Sequence, residues 1–149
     1  MFSHAEFIRI QAMTGREFTI DAACNDDGSN SHCSVYASPK QSFFKHNITG
    51  EHIWVNAPFE QAKQWINHYK RCKANSPFDT SAVFVLPKTS NYDKIIQGMS
   101  LLCEYPKGTQ LFTIPTKEGG REYINIDRTI PYQLIGGITA PNFLGGAVR

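Results

Sequence analysis

His52-Ile53-Trp54-Val55-Asn56-Ala57-Pro58-Phe59, followed at helical spacing by Ala62, Trp65, Ile66 and Tyr69 and then by Ala82-Val83-Phe84-Val85-Leu86, is the stretch on which the fold turns. The first four residues, mostly β-branched or aromatic, predict a strand. Asn-Ala-Pro stops it, and the apolar spacing from Phe59 predicts a helix to about Ala74, where Asn75, Ser76 and Pro77 break it. The run 82–86 is continuously apolar, as a strand buried on both faces of a parallel sheet requires. Strand, helix and strand make a βαβ unit, whose right-handed crossover puts the helix on one face of the sheet.

Toward the N-terminus, Phe7, Ile8 and Ile10 among polar residues predict a helix over 2–13, with Gly15 placed to end it. Residues 16–21 then switch to Phe18-Thr19-Ile20, a buried strand delivering Asp21 to its carboxyl end. Residues 25–47 are rich in Asn, Asp, Ser, Gly and Lys and read as loop. A loop of that length in a compact domain is unusual unless it serves a function, so ligand contact is expected there. Toward the C-terminus a helix is expected around 92–102. Short strands follow over 110–114, 122–126 and 130–138, finishing the sheet with antiparallel pairs, and the Gly119-Gly120 and Gly136-Gly137 pairs read as turns. One domain over 1–139 and a flexible tail over 140–149 complete the layout.

The chain of 149 residues, 41% hydrophobic, is the size of one ordinary domain with a single core. A formal charge of +2 is too weak a bias to identify a nucleic-acid or membrane partner by itself. No apolar run is long enough for a membrane helix, and the first residues lack a secretory pattern, so an intracellular protein is expected. Cys24, Cys33, Cys72 and Cys103 contain no CxxC pair and read as reduced thiols. Cys24, His32 and Cys33 lie near one another but follow no finger-like spacing, so no metal is expected. Asp26-Asp27-Gly28 lacks the ligand spacing of a calcium loop and reads as a turn. No GxGxxG follows the first strand, which argues against a dinucleotide oxidoreductase.

Open parallel sheets bind ligands at the carboxyl ends of their strands, so Asp21 and Asn56 should share one rim. The acid can accept hydrogen bonds from ligand hydroxyls or an ammonium group, and the small Ala22 and Ala23 let a cofactor approach the backbone. The order Phe18-Thr19-Ile20-Asp21-Ala22-Ala23, polar loop, Ile53-Trp54-Val55-Asn56-Ala57-Pro58-Phe59, helix with Trp65 and strand ending Val85-Leu86-Pro87 resembles the phage-type Dam methyltransferase family over about residues 2–112. Asn-x-Pro-aromatic after a strand is its most specific element, and retroelement polyproteins carry similar domains.

The resemblance implies a Rossmann-like methyltransferase domain, mainly parallel sheet with helices on both faces and an antiparallel C-terminal part. It implies methyl transfer from S-adenosylmethionine to the exocyclic amine of a flipped adenine in DNA, without a metal. Asn56 and the Ala57 carbonyl would accept the hydrogens of that amine, Pro58 would stiffen the turn and Phe59 would stack on the base. Asp21, Ala22 and Ala23 would bind the cofactor. Ala57 stands where the family's pattern has a first proline; it keeps the carbonyl acceptor and gives up the fixed φ.

Other readings stand beside this one. Asn56 before Ala-Pro suits a helix cap, Phe59 suits the core stripe of its helix, and Trp65 and Tyr69 are assigned to core. Lys40, Lys45, Lys63, Lys70, Arg71 and Lys73 suit a solvated surface, with the cluster around Lys70 the better phosphate candidate. The alternative function is a non-catalytic module of a retroelement-type polyprotein, kept for nucleic-acid binding or as a spacer. A third is methylation of another planar amine, in RNA or protein.

Overall fold

The computed structural model describes residues 1–123 and 132–137. Helix α1 (His4–Thr14) opens at Ser3, whose hydroxyl accepts the Glu6 N–H at 3.4 Å, and closes at Gly15, left-handed at φ 71°. Strand β1 (Ile20–Asp21) keeps only the last two residues of the strand expected over 16–21. The ladder ends just upstream: Thr19 still bonds the His52 carbonyl at 2.7 Å, but the Phe18 N–H donates to the Gln11 side chain of α1 at 2.8 Å.

Strand β2 (His52–Val55), a 3-10 turn at Phe59–Gln61, helix α2 (Ala62–Asn75) and strand β3 (Ser81–Pro87) form the expected βαβ unit. β1 pairs parallel with β2, Asp21 opposite Trp54, and β2 pairs parallel with β3, Val55 opposite Phe84. Successive residues of these strands point to opposite faces. Ile53, Val55, Phe84 and Leu86 pack with Trp65, Ile66 and Tyr69 of α2, whereas Trp54, Val83 and Val85 pack with Phe7 and Ile10 of α1. The two helices therefore cover opposite faces, which is why 82–86 is continuously apolar. Trp54 is fully buried and meets the rings of Phe2, Phe7 and Phe18 at 5.0, 5.1 and 5.5 Å.

Strands β4 (Ser100–Tyr105), β5 (Thr113–Pro115), β6 (Arg121–Tyr123) and β7 (Tyr132–Gly137) complete the described elements. The main sheet runs β1-β2-β3-β7-β4, with β7 antiparallel to both neighbours, and β5 pairs antiparallel with β6 apart from it. The result is a mixed α/β domain: three parallel strands, helices on both faces and an antiparallel C-terminal strand.

Two expectations are corrected. The helix expected around 92–102 is a 3-10 turn at Ser90–Tyr92 and a run of turns leading into β4. Ile95, Ile96 and Met99 have helical spacing and do pack on the α2 side, but Gly98 stands in the left-handed region at φ 85°, where a helix cannot continue. Gly136-Gly137 is not a turn but lies within β7, opposite Val83 and Ala82. The expected tail over 140–149, the domain boundary at 139 and parts of the strands expected over 122–126 and 130–138 lie outside the described residues.

His52 joins these layers. Its Nδ1 lies 2.6 Å from Ser81 Oγ, its Nε2 lies 3.1 Å from Thr14 Oγ1, and its ring stacks on Phe18 at 4.3 Å. Burial first, then the Arg16 charge, lowers its pKa to about 4; burial and then His4 lower that of His32 to about 4. Both stay neutral in the folded chain while the unfolded chain takes up protons below 6.5. Stability contributed by these groups is thus present above pH 6.5 and lost as pH falls toward about 4. The urea midpoint is expected to drop between pH 7 and pH 4.5, and to drop less in His52→Gln; equal drops in both proteins would refute the assignment.

Candidate functional site

Where β1 and β2 end, the chain leaves a cleft of about 720 Å³. Three segments wall it: residues 22–25 after β1, residues 38–44 from the long loop, and residues 56–61 between β2 and α2, with Trp65 and Phe112 closing the sides. Asn56 lines this cleft with Ala22, Ala23, Ala57, Pro58 and Phe59, but Asp21, expected to share the rim with Asn56, does not.

Asp21 stands differently. It is 2% exposed and lies behind the wall, its Oδ2 accepting the His32 N–H at 2.9 Å and its Oδ1 the Ala23 N–H at 3.4 Å. Its backbone bridges as well: the N–H donates to the Val35 carbonyl, and the carbonyl accepts from Ala37. Burial raises the Asp21 pKa, and the hydrogen bond from the His32 backbone opposes that rise. The carboxylate thus fastens the 25–37 segment to the end of β1, and Ala22 and Ala23 present that anchored backbone to the cleft.

The 25–47 loop is loop as expected, and it is tied down by its own side chains. Asn30 Oδ1 accepts the Asn25 N–H at 2.8 Å, and Asp26 Oδ1 accepts the Lys40 N–H at 2.9 Å. Asp27 accepts the Ser29 N–H and Gly28 has φ 70°, so Asp26-Asp27-Gly28 is the expected turn. Cys24 and Cys33 are held near this junction, each Sγ donating to a backbone carbonyl at 3.7 Å, and burial pushes both thiols up to about 12. Among the described residues no group of three or more His, Cys, Asp or Glu is placed to hold a metal, and no helix is long and apolar enough to cross a membrane.

Asn56 does not cap a helix. The 3-10 turn begins after Pro58 and α2 after Gln61, and neither start has a side-chain cap bond. Among the described residues, the carboxamide of half-buried Asn56 and the carbonyl of Ala57 have no hydrogen-bond partner. Two residues on, the Phe59 carbonyl accepts the Tyr92 hydroxyl at 2.9 Å, which pins the turn. The Phe59 ring is half-buried and meets Phe112 edge-on at 6.4 Å; it lines the cleft and also packs against the core cluster around Trp54.

Opposite, Phe43 stacks on Trp65 at 4.9 Å and 7°, with Phe44 edge-on at 5.3 Å. Trp65 is buried as expected, yet it also lines the cleft, and its indole N–H has no partner. This aromatic wall was missed from the sequence; the one available signal was Phe43-Phe44, two large apolar residues inside a polar loop. The Lys70 cluster is corrected: Lys70 Nζ donates to the Ile95 carbonyl at 2.6 Å and Lys73 Nζ to the Pro77 and Thr80 carbonyls at 3.0 and 2.6 Å, so both cations tie loops to α2. Lys40 is exposed within the 38–44 segment and Lys45 and Lys63 just beyond the wall segments, and none of the three lines the cleft.

No family model matches the chain, and no match is found among curated proteins. Function is therefore argued from this α/β cleft and its side chains. An Asn56→Ala change is expected to alter stability by no more than about 0.5 kcal/mol, because no intramolecular bond is lost. Loss of a helix cap would cost about 1 kcal/mol, and thermal unfolding separates the two. Asp21→Ala leaves the buried His32 N–H without its acceptor, for about 1–3 kcal/mol, and is expected to open residues 25–37 to limited proteolysis.

Proposed function

We propose that the chain is an S-adenosylmethionine-dependent DNA adenine-N6 methyltransferase domain of Rossmann-like type, similar to the phage-type Dam family. One observation carries the reading: Asn56 Oδ1 and the Ala57 carbonyl, two acceptors without partners, stand at the end of a parallel strand on a cleft whose next wall is the Phe59 ring. Acceptors left open on a cleft wall are free to take the N–H groups of a ligand in place of water.

The requirement of the chemistry matches that pair. The lone pair of an aromatic amine is delocalised into its ring, so two acceptors must hold the amine hydrogens while the lone pair turns toward the electrophile. Asn56 and Ala57 would take one hydrogen each, Phe59 would stack on the base, and Phe112 would hold Phe59 in place. Only an extruded base reaches such a pocket. The carbonyl of Ala57 serves as that of a proline would, and the Tyr92–Phe59 bond restrains the turn in place of a fixed φ.

The cleft also fits the cofactor. Its volume is in the range of small-molecule sites, its walls are largely aromatic and apolar, and the Asn25, Asn30 and Ser42 side chains supply polar groups. When bound, S-adenosylmethionine supplies the electrophilic methyl group. Ala22 and Ala23 would receive it, and Asp21 would act on it through the loop that its carboxylate anchors or, with those bonds exchanged, directly.

Calorimetric titration with S-adenosylhomocysteine is expected to give saturable one-to-one binding, weakened in Asp21→Ala and retained in Asn56→Ala. Methyl transfer to adenine in DNA is expected to fall by about 10²-fold or more in Asn56→Ala. A folded sample that binds DNA but neither form of the cofactor would replace this reading with the non-catalytic nucleic-acid module.

A further inference from the structure

Glu60 is the one formally charged residue among the described residues that line the cleft. It follows Phe59 in the 3-10 turn at Phe59–Gln61, and its side chain is exposed. Among the described residues its carboxylate has no hydrogen bond, and the described ion pairs, Arg9–Glu6 and Lys88–Glu104, do not involve it. The Tyr92 hydroxyl, bonded to the Phe59 carbonyl, is near enough to feel it: burial raises the Tyr92 pKa and the Glu60 charge adds to the rise. That places the carboxylate beside the turn that carries Asn56 and Ala57.

The rest of the wall is neutral. Asn25, Asn30, Ser38, Ser42, Asn56 and Gln61 offer dipoles, and Cys24 is held as the thiol. Asp21 lies behind Ala22 with its oxygens turned to backbone N–H groups. Lys63, a turn beyond Glu60, is exposed and makes no ion pair with it. Glu60 is thus the formal charge on the lining itself and contributes a negative potential at the cleft wall, offset in part by exposed Lys40, Lys45 and Lys63, none of which lines the cleft.

We infer that Glu60 sets the charge preference of this cleft, holding the cationic sulfonium form of the cofactor more tightly than the neutral thioether left after transfer. This rests on the methyltransferase reading. The two forms differ by one methyl group and one positive charge, so apolar and hydrogen-bonding contacts barely separate them, while a carboxylate does. Because Glu60 is exposed, the discrimination is modest, about threefold to tenfold, and shrinks as salt is added.

The test is titration of the full chain and of Glu60→Gln with S-adenosylmethionine and, separately, S-adenosylhomocysteine, at low and at moderate salt. The expected result is a loss of S-adenosylmethionine affinity by about threefold to tenfold in Glu60→Gln, with S-adenosylhomocysteine affinity changed less than twofold. Glu60→Lys is expected to push the ratio further toward the thioether. Unchanged ratios, or equal losses for both ligands, would overturn the role of Glu60 while leaving the cofactor site standing. Binding of neither ligand by the folded wild-type chain would overturn the methyltransferase reading and this inference with it.

Discussion

A carboxylate taken out of water must be given hydrogen bonds in exchange, and Asp21 receives them from the chain's own longest loop. β1 is two residues long and could not hold the edge of a sheet by itself. It is held because its end residue bonds in two directions: toward β2 in the parallel ladder, and toward residues 32–37 through both its side chain and its backbone. The Asp21–Tyr36 bridge makes that part of the loop a short parallel neighbour of β1. Without the carboxylate, the segment carrying Asn25 and Asn30 would keep its backbone bonds to β1 and its internal turns but lose the tie at His32, so that wall of the cleft would be held less firmly.

The other wall depends on the buried interior of the sheet. Trp54 packs on the α1 side and Ile53 and Val55 on the α2 side, which fixes the height and direction at which β2 delivers Asn56. Pro58 and the Tyr92 hydroxyl then turn the chain into α2, and Trp65, one turn inside that helix, meets Phe43 from the loop. The cleft exists because parallel strands end together while their connections diverge, one to the long loop and one to α2. It is a product of the topology, and the aromatic pair closes it.

Much of this was legible. Helix α1 with its glycine stop, the βαβ unit, the turn at 56–58 and the loop at 25–47 are local patterns, each encoded within a few residues: apolar spacing, a breaker, a run of turn formers. Ile95, Ile96 and Met99 misled because the packing that uses them is the same whether they lie on a helix or on successive turns; Gly98 decides, and one glycine is a weak stop signal. Gly136-Gly137 misled for the opposite reason, since its strand conformation comes from β3 and β4 on either side, partners far away in sequence. In the cleft, the strand-end residues Ala22, Ala23 and 56–59 were readable. Phe43, Trp65 and Phe112 were not, because a ring in a loop, one in a helix and one before β5 become a wall only when the fold brings them together.

The polar groups that the chain leaves unbonded at this rim define what the cleft can recognise. Elsewhere the chain commits its polar side chains closely: Lys70 and Lys73 clasp backbone carbonyls, Arg16 bonds the carbonyls of Asp79 and Gly50, and the buried His52 has a partner for each ring nitrogen. On the cleft wall Asn25, Asn30, Ser38 and Ser42 are bonded in the same way, and four other groups are not. Asn56, the Ala57 carbonyl, the Trp65 N–H and the Glu60 carboxylate lack partners among the described residues. Buried groups without a partner also occur away from the cleft, at His32 Nε2, the Trp54 N–H and Thr89 Oγ1, so what sets this rim apart is that two acceptors and a carboxylate, those of Asn56, Ala57 and Glu60, line one cavity together. Under the proposed reading, the amine of an extruded adenine would meet the two acceptors, and the positive charge of a sulfonium cofactor would meet the carboxylate.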